Sequence, residues 1–219
     1  MIISPGRGYV FVHIPKTGGT ALSLALEARA MADDILIGDT PKARARRRRL
    51  KGAKTAGRLW KHSRLDDIVG LVSANEISRL RVFTLVRNPW DRVVSYYHWL
   101  RVQQFDHPAV TLARTTDFEG FLRAPLTVAT LGAETFGSYV TLNGTERPAD
   151  FVRLEHFKDD IAPVERHLGF ALTPLERSNA SDRHRDFRRY YSDETARLVA
   201  NYCARDIRRF GYEFDAPAA

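Results

Sequence analysis

The chain has 219 residues, and its 44% hydrophobic composition is enough for one sizeable core, so we expect a single domain over residues 1–219. Its one cysteine, Cys203, excludes an intrachain disulfide and favours a reducing compartment. No apolar run approaches the roughly 20 residues of a membrane span, and no room is left for a removable leader before His13. We therefore expect a cytoplasmic protein without a membrane span.

The formal net charge of +8 has a local origin. Residues 42–54 ("KARARRRRLKGAK") contain eight basic side chains and no acidic one. Subtracting these eight from the 34 Lys and Arg leaves 26, which equals the 26 Asp and Glu. The run is a solvated loop or a contact surface for an anionic partner, and we expect it to be mobile without a ligand.

The first predicted unit is a strand followed by a helix. Residues 9–14 are apolar and β-rich, as in a buried strand, and residues 18–30 follow helical spacing with Leu22, Ala25 and Leu26 on one face. Residues 39–61 are rich in Pro, Gly and Arg and lack apolar periodicity, which predicts an exposed, basic excursion. Ser63 with Asp66 then resembles a capping box, which predicts a helix over residues 63–72.

A second strand-to-helix unit follows. Residues 82–86 predict a strand, Asn88 a helix N-cap and Pro89 the first helical position. In this helix Asp91 suits the positive N-terminus, and Ser95 lies on the polar face. The opposite, core-facing positions are Trp90, Val93, Val94 and Tyr97.

The remaining elements complete an α/β pattern. Residues 105–143 are the least regular, with one short helix expected around residues 117–123. Residues 151–154 predict a third strand, residues 158–168 a helix that Gly169 ends, and residues 193–208 a last helix. Strands that alternate with helices predict a central, mainly parallel sheet flanked by helices, with the ligand outside the carboxyl ends of the strands.

The first strand end has the chemistry of an anion site. Backbone N–H groups from Thr17 to Thr20 can converge at a helix N-terminus, where Gly18 and Gly19 permit close approach and Lys16 adds a full charge. The ATP-binding pattern GxxxxGK[ST] is missing, because the lysine precedes the glycines.

The second strand end offers further phosphate ligands. Arg87 follows its strand directly, and arginine binds phosphate through two parallel hydrogen bonds. Ser95, two turns into the next helix, can add a hydroxyl donor. Two such strand ends in one chain predict a ligand with phosphates at two separate positions.

"HIPKTGGT" and "VRNPWDRVVSYYHW" resemble the two nucleotide-binding signatures of the family-two, carbohydrate-type sulfotransferases. The resemblance implies a P-loop-like α/β domain and 3′-phosphoadenosine 5′-phosphosulfate (PAPS) as the co-substrate. It also implies that Arg87 and Ser95 hold the 3′-phosphate. The residues that it assigns to the 5′-phosphosulfate are Pro15, Lys16, Thr17, Gly18, Gly19 and Thr20.

The carboxyl-terminal region resembles the same family more loosely, in "FVRLEHF", "YYSDE" and "DIRRFGYEF". By this resemblance Asn179, Ser181 and Arg183 close over the nucleotide. Unlike the Golgi members, the chain has no membrane anchor and no disulfide. Residues 105–143, which would face the acceptor, match no particular sugar.

Sulfuryl transfer requires a base for the acceptor proton and positive charge on the leaving group, by analogy with phosphoryl transfer. Lys16 suits the charge. For the base we favour His62, because an imidazole titrates near neutral pH and "KH" resembles the middle segment of the family. Glu134 is the weaker candidate, and the sequence shows no metal-ligand cluster.

The predicted activity is therefore sulfuryl transfer from PAPS to an acceptor hydroxyl. The acceptor is expected to be a carbohydrate, such as an anionic saccharide, or a small metabolite. Two alternatives stay open. One is a P-loop nucleotide kinase, against which stands the missing GK[ST] ending. The other is a non-catalytic module that binds polyanions through residues 42–54, although the run lacks the interleaved aromatics of nucleic-acid readers and we expect no nucleic-acid partner.

Overall fold

A computed structural model describes residues 1–175 and 183–215. The strands in chain order are β1 (Ile2–Ser4), β2 (Tyr9–Val12), β3 (Ile35–Leu36), β4 (Arg81–Val86), β5 (Thr141–Leu142), β6 (Thr145–Glu146) and β7 (Ala149–Arg153). The helices are α1 (Gly19–Ala28), α2 (Pro41–Arg46), α3 (Ala74–Arg79), α4 (Pro89–Arg101), α5 (Pro108–Thr115), α6 (Phe118–Arg123), α7 (Pro125–Ala133), α8 (Phe157–Asp160), α9 (Ala162–Leu168), α10 (Asp193–Tyr202) and α11 (Ala204–Phe210).

The chain divides into two compact units. The first unit comprises Met1–Val86 and Phe136–Ser178, and the second comprises Arg87–Thr135 and Asn179–Ala219. A single sulfotransferase-like domain over residues 1–219 stays a prediction. Within the described residues, no helix is long and apolar enough to cross a membrane.

The first unit is built on a five-stranded sheet in the order β3-β1-β2-β4-β7. β4 pairs in parallel with β2, with Tyr9 opposite Arg81, and with β7, with Val82 opposite Ala149. β1 adds an antiparallel extension beside β2, and it carries β3. The predicted α/β class with a mainly parallel sheet is confirmed, and β2, β4 and β7 end at the same edge of this sheet.

The core of the first unit lies between the sheet and the helices α1, α2 and α9. Strand β2 and the part of β4 after Arg81 are buried without alternation, as expected for parallel strands that are covered on both faces. Strand residues such as Phe11 and Phe83 pack with Leu22 and Leu26 of α1 and with Val164 of α9. This packing fixes α1 against the strand that precedes it, so the intervening loop has little freedom.

The helix predicted over residues 63–72 is wrong. The Ser63 hydroxyl is fully buried and donates to the carbonyls of Arg58 and Trp60, so it folds a turn instead of capping a helix. The capping box belongs to Ser73 and Glu76, which begin α3 ten residues later. Only a short 3₁₀ turn, Asp66–Ile68, occupies the predicted stretch.

Residues 41–50 of the predicted excursion are folded. Thr40 caps α2 by accepting from the Ala43 N–H, and a 3₁₀ turn, Arg47–Leu50, follows. The sequence showed no apolar periodicity that would predict α2, because Ala43 is the only buried residue of this helix. The helix is held by its cap and by side-chain hydrogen bonds to backbone carbonyls instead of an apolar face.

The second unit is helical, and α4 is its best-predicted element. Asn88 caps α4 and Pro89 opens it, both as predicted. The residues Trp90, Val93, Val94 and Tyr97 are buried, which confirms the core-facing side. α6 was expected, whereas α5 and α7 were not, and the last predicted helix is interrupted at Cys203 between α10 and α11.

Candidate active site

The loop after β2 delivers the N-terminus of α1 without a side-chain cap. Gly18 precedes the helix in the left-handed conformation (φ 84°), and neither a capping hydrogen bond nor a first-turn acid accompanies it among the described residues. The helices α2, α4 and α6 are capped by a side chain, whereas α7, α9 and α11 are, like α1, without one in the described part of the chain. The N–H groups at this end of α1 are therefore candidates for binding an anion, apart from that of Ala21, which donates to the carbonyl of Gly18.

Two glycines in this loop are required by its geometry. A Cβ on Gly19 would lie 2.2 Å from an atom of the His13 ring, and Gly18 has the positive φ that favours glycine. Lys16 also has a positive φ of 65°, which is uncommon outside glycine and is typical of functional loops. The backbone thus folds tightly around the imidazole of His13.

The hydroxyl of Thr17 forms a hydrogen bond within the loop instead of serving as a donor to a ligand. The hydroxyl is fully buried and donates to the carbonyl of Ile14 at 2.9 Å. That proton closes the turn, so the backbone N–H is the group through which Thr17 can contribute to an anion site.

His62 is oriented through the backbone of the same loop. Its Nδ1 lies 2.8 Å from the carbonyl oxygen of His13. Because a carbonyl oxygen only accepts, Nδ1 carries the proton, and Nε2 of the neutral ring holds the lone pair. This tautomer is the one that a general base requires at Nε2.

His13 is a residue of this site that the sequence analysis did not single out. Its side chain is 6% exposed and its ring lies edge-on to that of His62, with centroids 4.7 Å apart. Burial above all lowers the pKa of His13 well below its ordinary value, and nearby positive charges such as that of Lys16 act in the same direction. His13 therefore stays neutral and packs beneath Gly19. Its position between the predicted strand and the glycines was the sequence signal that could have identified it as a site residue.

In the second unit, Asp91 holds two arginines. Arg87 Nη2 lies 2.5 Å from Asp91 Oδ2, and Arg183 Nη2 lies 2.5 Å from Asp91 Oδ1. The three side chains are between 5% and 15% exposed, so solvent screens these pairs little. The sequence predicted only a helix-start role for Asp91; its i+4 spacing from Arg87 was the signal for this contact.

The predicted polar face of α4 is buried at Asp91 and Ser95. Ser95 is 5% exposed and Asp91 4%, one turn apart. Nearby, the hydroxyl of Tyr191 donates to the carbonyl of Trp90 at 2.9 Å, and burial raises the pKa of Tyr191 well above its ordinary value. The Nδ2 of Asn88 donates to the carbonyl of Glu213 at 3.0 Å. The α4 N-terminus is thus anchored to residues near the end of the chain.

The other predicted site residues are placed as follows. Glu134 ends α7 in the second unit, whereas His62 belongs to the first. Glu134 helps burial to raise the pKa of Tyr96. Asn179 and Ser181 lie outside the described residues. Over residues 1–175 and 183–215, no group of three or more His, Cys, Asp or Glu side chains is placed to hold a metal ion.

No protein-family model and no curated protein matches this chain. Among solved structures, it resembles the crystal structure of mouse sulfotransferase SULT7A1 complexed with PAP, with a TM-score of 0.52 and 19% sequence identity. The match covers 92% of this chain and 84% of the mouse chain. At this identity the likeness shows the fold, and the chain is thus an α/β protein with a sulfotransferase fold.

Proposed function

We propose that this protein is a sulfotransferase that moves a sulfuryl group from PAPS to an acceptor hydroxyl by in-line displacement. The observation that carries the proposal is the loop of residues 13–20, where Lys16 and two glycines lead into the uncapped N-terminus of α1. This arrangement suits a phosphosulfate, because it offers several N–H donors, a helix dipole and one cation to a single anion. The fold shared with a PAP-complexed sulfotransferase supports it.

The proposal assigns the two phosphate groups of the donor to different parts of the chain. The 5′-phosphosulfate is assigned to residues 15–20, chiefly through backbone N–H groups and Lys16. The 3′-phosphate is assigned to Arg87 and Ser95, which are both nearly buried. Asp91 keeps the Arg87 guanidinium oriented through its Nε and Nη2 atoms. Arg183 shares this carboxylate and is proposed as a further nucleotide ligand, together with Asn179 and Ser181.

The chemical step follows from the state of His62. The acceptor oxygen attacks sulfur, and its proton passes to Nε2, whose lone pair is defined by the Nδ1 contact to His13. The bond between sulfur and the bridging phosphate oxygen breaks, and adenosine 3′,5′-bisphosphate (PAP) leaves. Negative charge develops on that oxygen, where Lys16 and the α1 amides stabilise it.

The proposed acceptor is a carbohydrate or a small metabolite that bears a hydroxyl, without a nucleic-acid partner. We place the protein in the cytoplasm, in keeping with its single cysteine. Glu134 is the alternative base, and it becomes the first candidate if His62 proves dispensable.

The deciding experiment is a thermal-shift titration with PAP and, separately, with ATP and magnesium. PAP at about 100 times its dissociation constant should raise the free energy of unfolding by about 2.7 kcal/mol. Stabilisation by ATP–magnesium alone would overturn the proposal in favour of a nucleotide kinase. Sulfuryl transfer from PAPS to a panel of hydroxyl compounds then tests the reaction itself.

A further inference from the structure

The turn that carries His62 also presents an aromatic surface. Trp60 is 43% exposed, although it lies only two residues before the proposed base. The indole and imidazole centroids are 5.0 Å apart, with an interplanar angle of 86°. The guanidinium of Arg58 lies over the indole, 5.6 Å from its centroid. The proposed base is thus flanked by an exposed ring that bears a cation.

The turn is fixed from beneath, so this ring is held in place. The fully buried Ser63 hydroxyl accepts from the Trp60 N–H and contacts the carbonyls of Arg58 and Trp60. The ring of His62 is held in turn by the His13 carbonyl. An exposed indole on a fixed backbone costs little ordering entropy when it binds a ligand, which is why tryptophan is favoured in binding sites.

Positive charge extends from this turn to α2. Lys61 Nζ lies 3.1 Å from Asp39 Oδ2, and Arg47 contacts the other oxygen of that carboxylate at 3.8 Å. A Cβ on Gly38 would contact both Lys61 and Ala43 of α2, so the basic helix packs beside the turn. The exposed basic residues of this stretch are Arg44, Arg47, Arg48, Arg49, Lys51 and Lys54.

We propose that Trp60, with Arg58 and the basic stretch of residues 44–54, is the acceptor subsite, and that it takes an anionic saccharide. This inference rests on the proposed function, which supplies the need for a hydroxyl beside His62. A pyranose ring presents C–H groups to the negative face of the indole, and its carboxylate or sulfate groups pair with the arginines. Stacking on Trp60 brings a ring hydroxyl to the imidazole edge.

A nucleic acid is the disfavoured occupant. Proteins that bind single strands interleave several aromatic side chains with basic ones, so that successive bases stack. Residues 42–54 contain eight basic residues and no aromatic one, and Trp60 is the single aromatic residue between positions 42 and 61. One ring beside a dense basic surface fits a single stacked sugar with charged neighbours.

The test measures binding of a hyaluronan tetrasaccharide, with cellotetraose as the neutral counterpart, to protein saturated with PAP. We expect a salt-sensitive preference for the anionic sugar, and a loss of about tenfold (about 1.4 kcal/mol) in Trp60→Ala. Trp60→Phe should retain most of the affinity because it keeps a stacking face. Arg58→Ala should weaken binding, whereas Arg166→Ala, which removes an exposed arginine of α9, should not.

The outcomes separate this inference from the proposed function. PAP should bind Trp60→Ala as it binds the wild type; wild-type protein that fails to bind PAP contradicts the sulfotransferase proposal itself. If PAP binds but Trp60→Ala holds the tetrasaccharide like the wild type, the subsite is wrong. Equal binding of cellotetraose, no tetrasaccharide binding, or tighter binding of an oligonucleotide of matched charge would also overturn it.

Discussion

Asp91 is a nearly buried carboxylate that two arginines share, and it gives the second unit its best-defined charged cluster. Arginine binds carboxylate and phosphate through the same planar fork. The proposed 3′-phosphate site therefore rests on an arginine whose orientation Asp91 fixes through Nε and Nη2. The two arginines also explain why α4 can place the carboxylate of Asp91 where solvent hardly reaches.

The first prediction separates the two phosphates of the donor. Arg87→Ala should weaken PAP binding by about tenfold to a hundredfold, because a hydrogen bond to a charged group contributes about 1.5–3 kcal/mol. It should change the affinity for adenosine 5′-monophosphate little. Lys16→Ala should weaken both nucleotides. Isothermal titration calorimetry measures this, with the exposed Lys158→Ala as the control. Equal losses for both nucleotides in Arg87→Ala would contradict the assignment.

The second prediction concerns His62 as the base. His62→Ala and His62→Asn should keep PAP affinity but lower turnover by about 10²–10⁴-fold, because neither side chain can take the acceptor proton. The increase of rate with pH that the base produces in the wild type should also vanish. Steady-state kinetics with PAPS over a pH series checks both points. Near-normal turnover would transfer the role to Glu134.

At the scale of elements, α2 is held by contacts that its composition conceals. Arg46 donates to the carbonyl of Met31 at 2.7 Å and to that of Asp34 at 3.3 Å. Lys42 donates to the carbonyl of Glu27, and Arg49 to that of Ala32. Part of the basic run therefore closes the end of α1 and the residues after it. Other members, such as Arg48, point outward.

The third prediction uses this division of labour. Arg46→Glu should lower the free energy of unfolding by about 1–3 kcal/mol, because the two carbonyls lose a charged donor. Arg48→Glu should change stability by no more than about 0.5 kcal/mol, yet it should raise the KM for an anionic acceptor in a salt-sensitive way. Urea denaturation and kinetics at two salt concentrations check this. An unchanged KM at low salt would leave the run without an acceptor role.

At the scale of the whole molecule, stability should depend on the charge state of His13. Burial lowers the pKa of His13 well below its ordinary 6.5. Between these two pKa values the unfolded chain binds a proton at His13 and the folded chain does not. Stability therefore rises with pH wherever the unfolded state binds more protons. Above about pH 6.5, His13 is neutral in both the folded and the unfolded chain, so its protonation does not lower stability. As the pH falls below that value, the free energy of unfolding decreases.

The fourth prediction follows from this sign. Between pH 6.5 and 5 the free energy of unfolding should fall by up to about 1.4 kcal/mol per pH unit from this one group. His13→Gln should have lower stability at neutral pH but a shallower dependence in this window. Urea denaturation at several pH values measures the slope, with the exposed His156→Gln as the control. An unchanged slope in His13→Gln would show that another group titrates.

The fold was predictable where one local pattern decides the structure. The strands β2 and β4, the helix α1 and the cap of α4 by Asn88 each follow from apolar runs, glycines and a capping residue. These features act within a few residues, so the sequence displays them directly. Ser63 shows the limit, because the same residue type caps a helix or folds a turn according to which carbonyls approach it.

For the candidate site, the sequence by itself determined the residue types: a lysine and two glycines after one strand, an arginine after another, and a histidine that it placed before a helix. Only the tertiary structure decided which atoms those residues offer. The Thr17 hydroxyl is used within its turn, His62 has its proton on Nδ1, and Asp91 holds Arg183 from 92 positions away. Such contacts join distant parts of the chain, and their strength depends on burial, which local sequence does not specify.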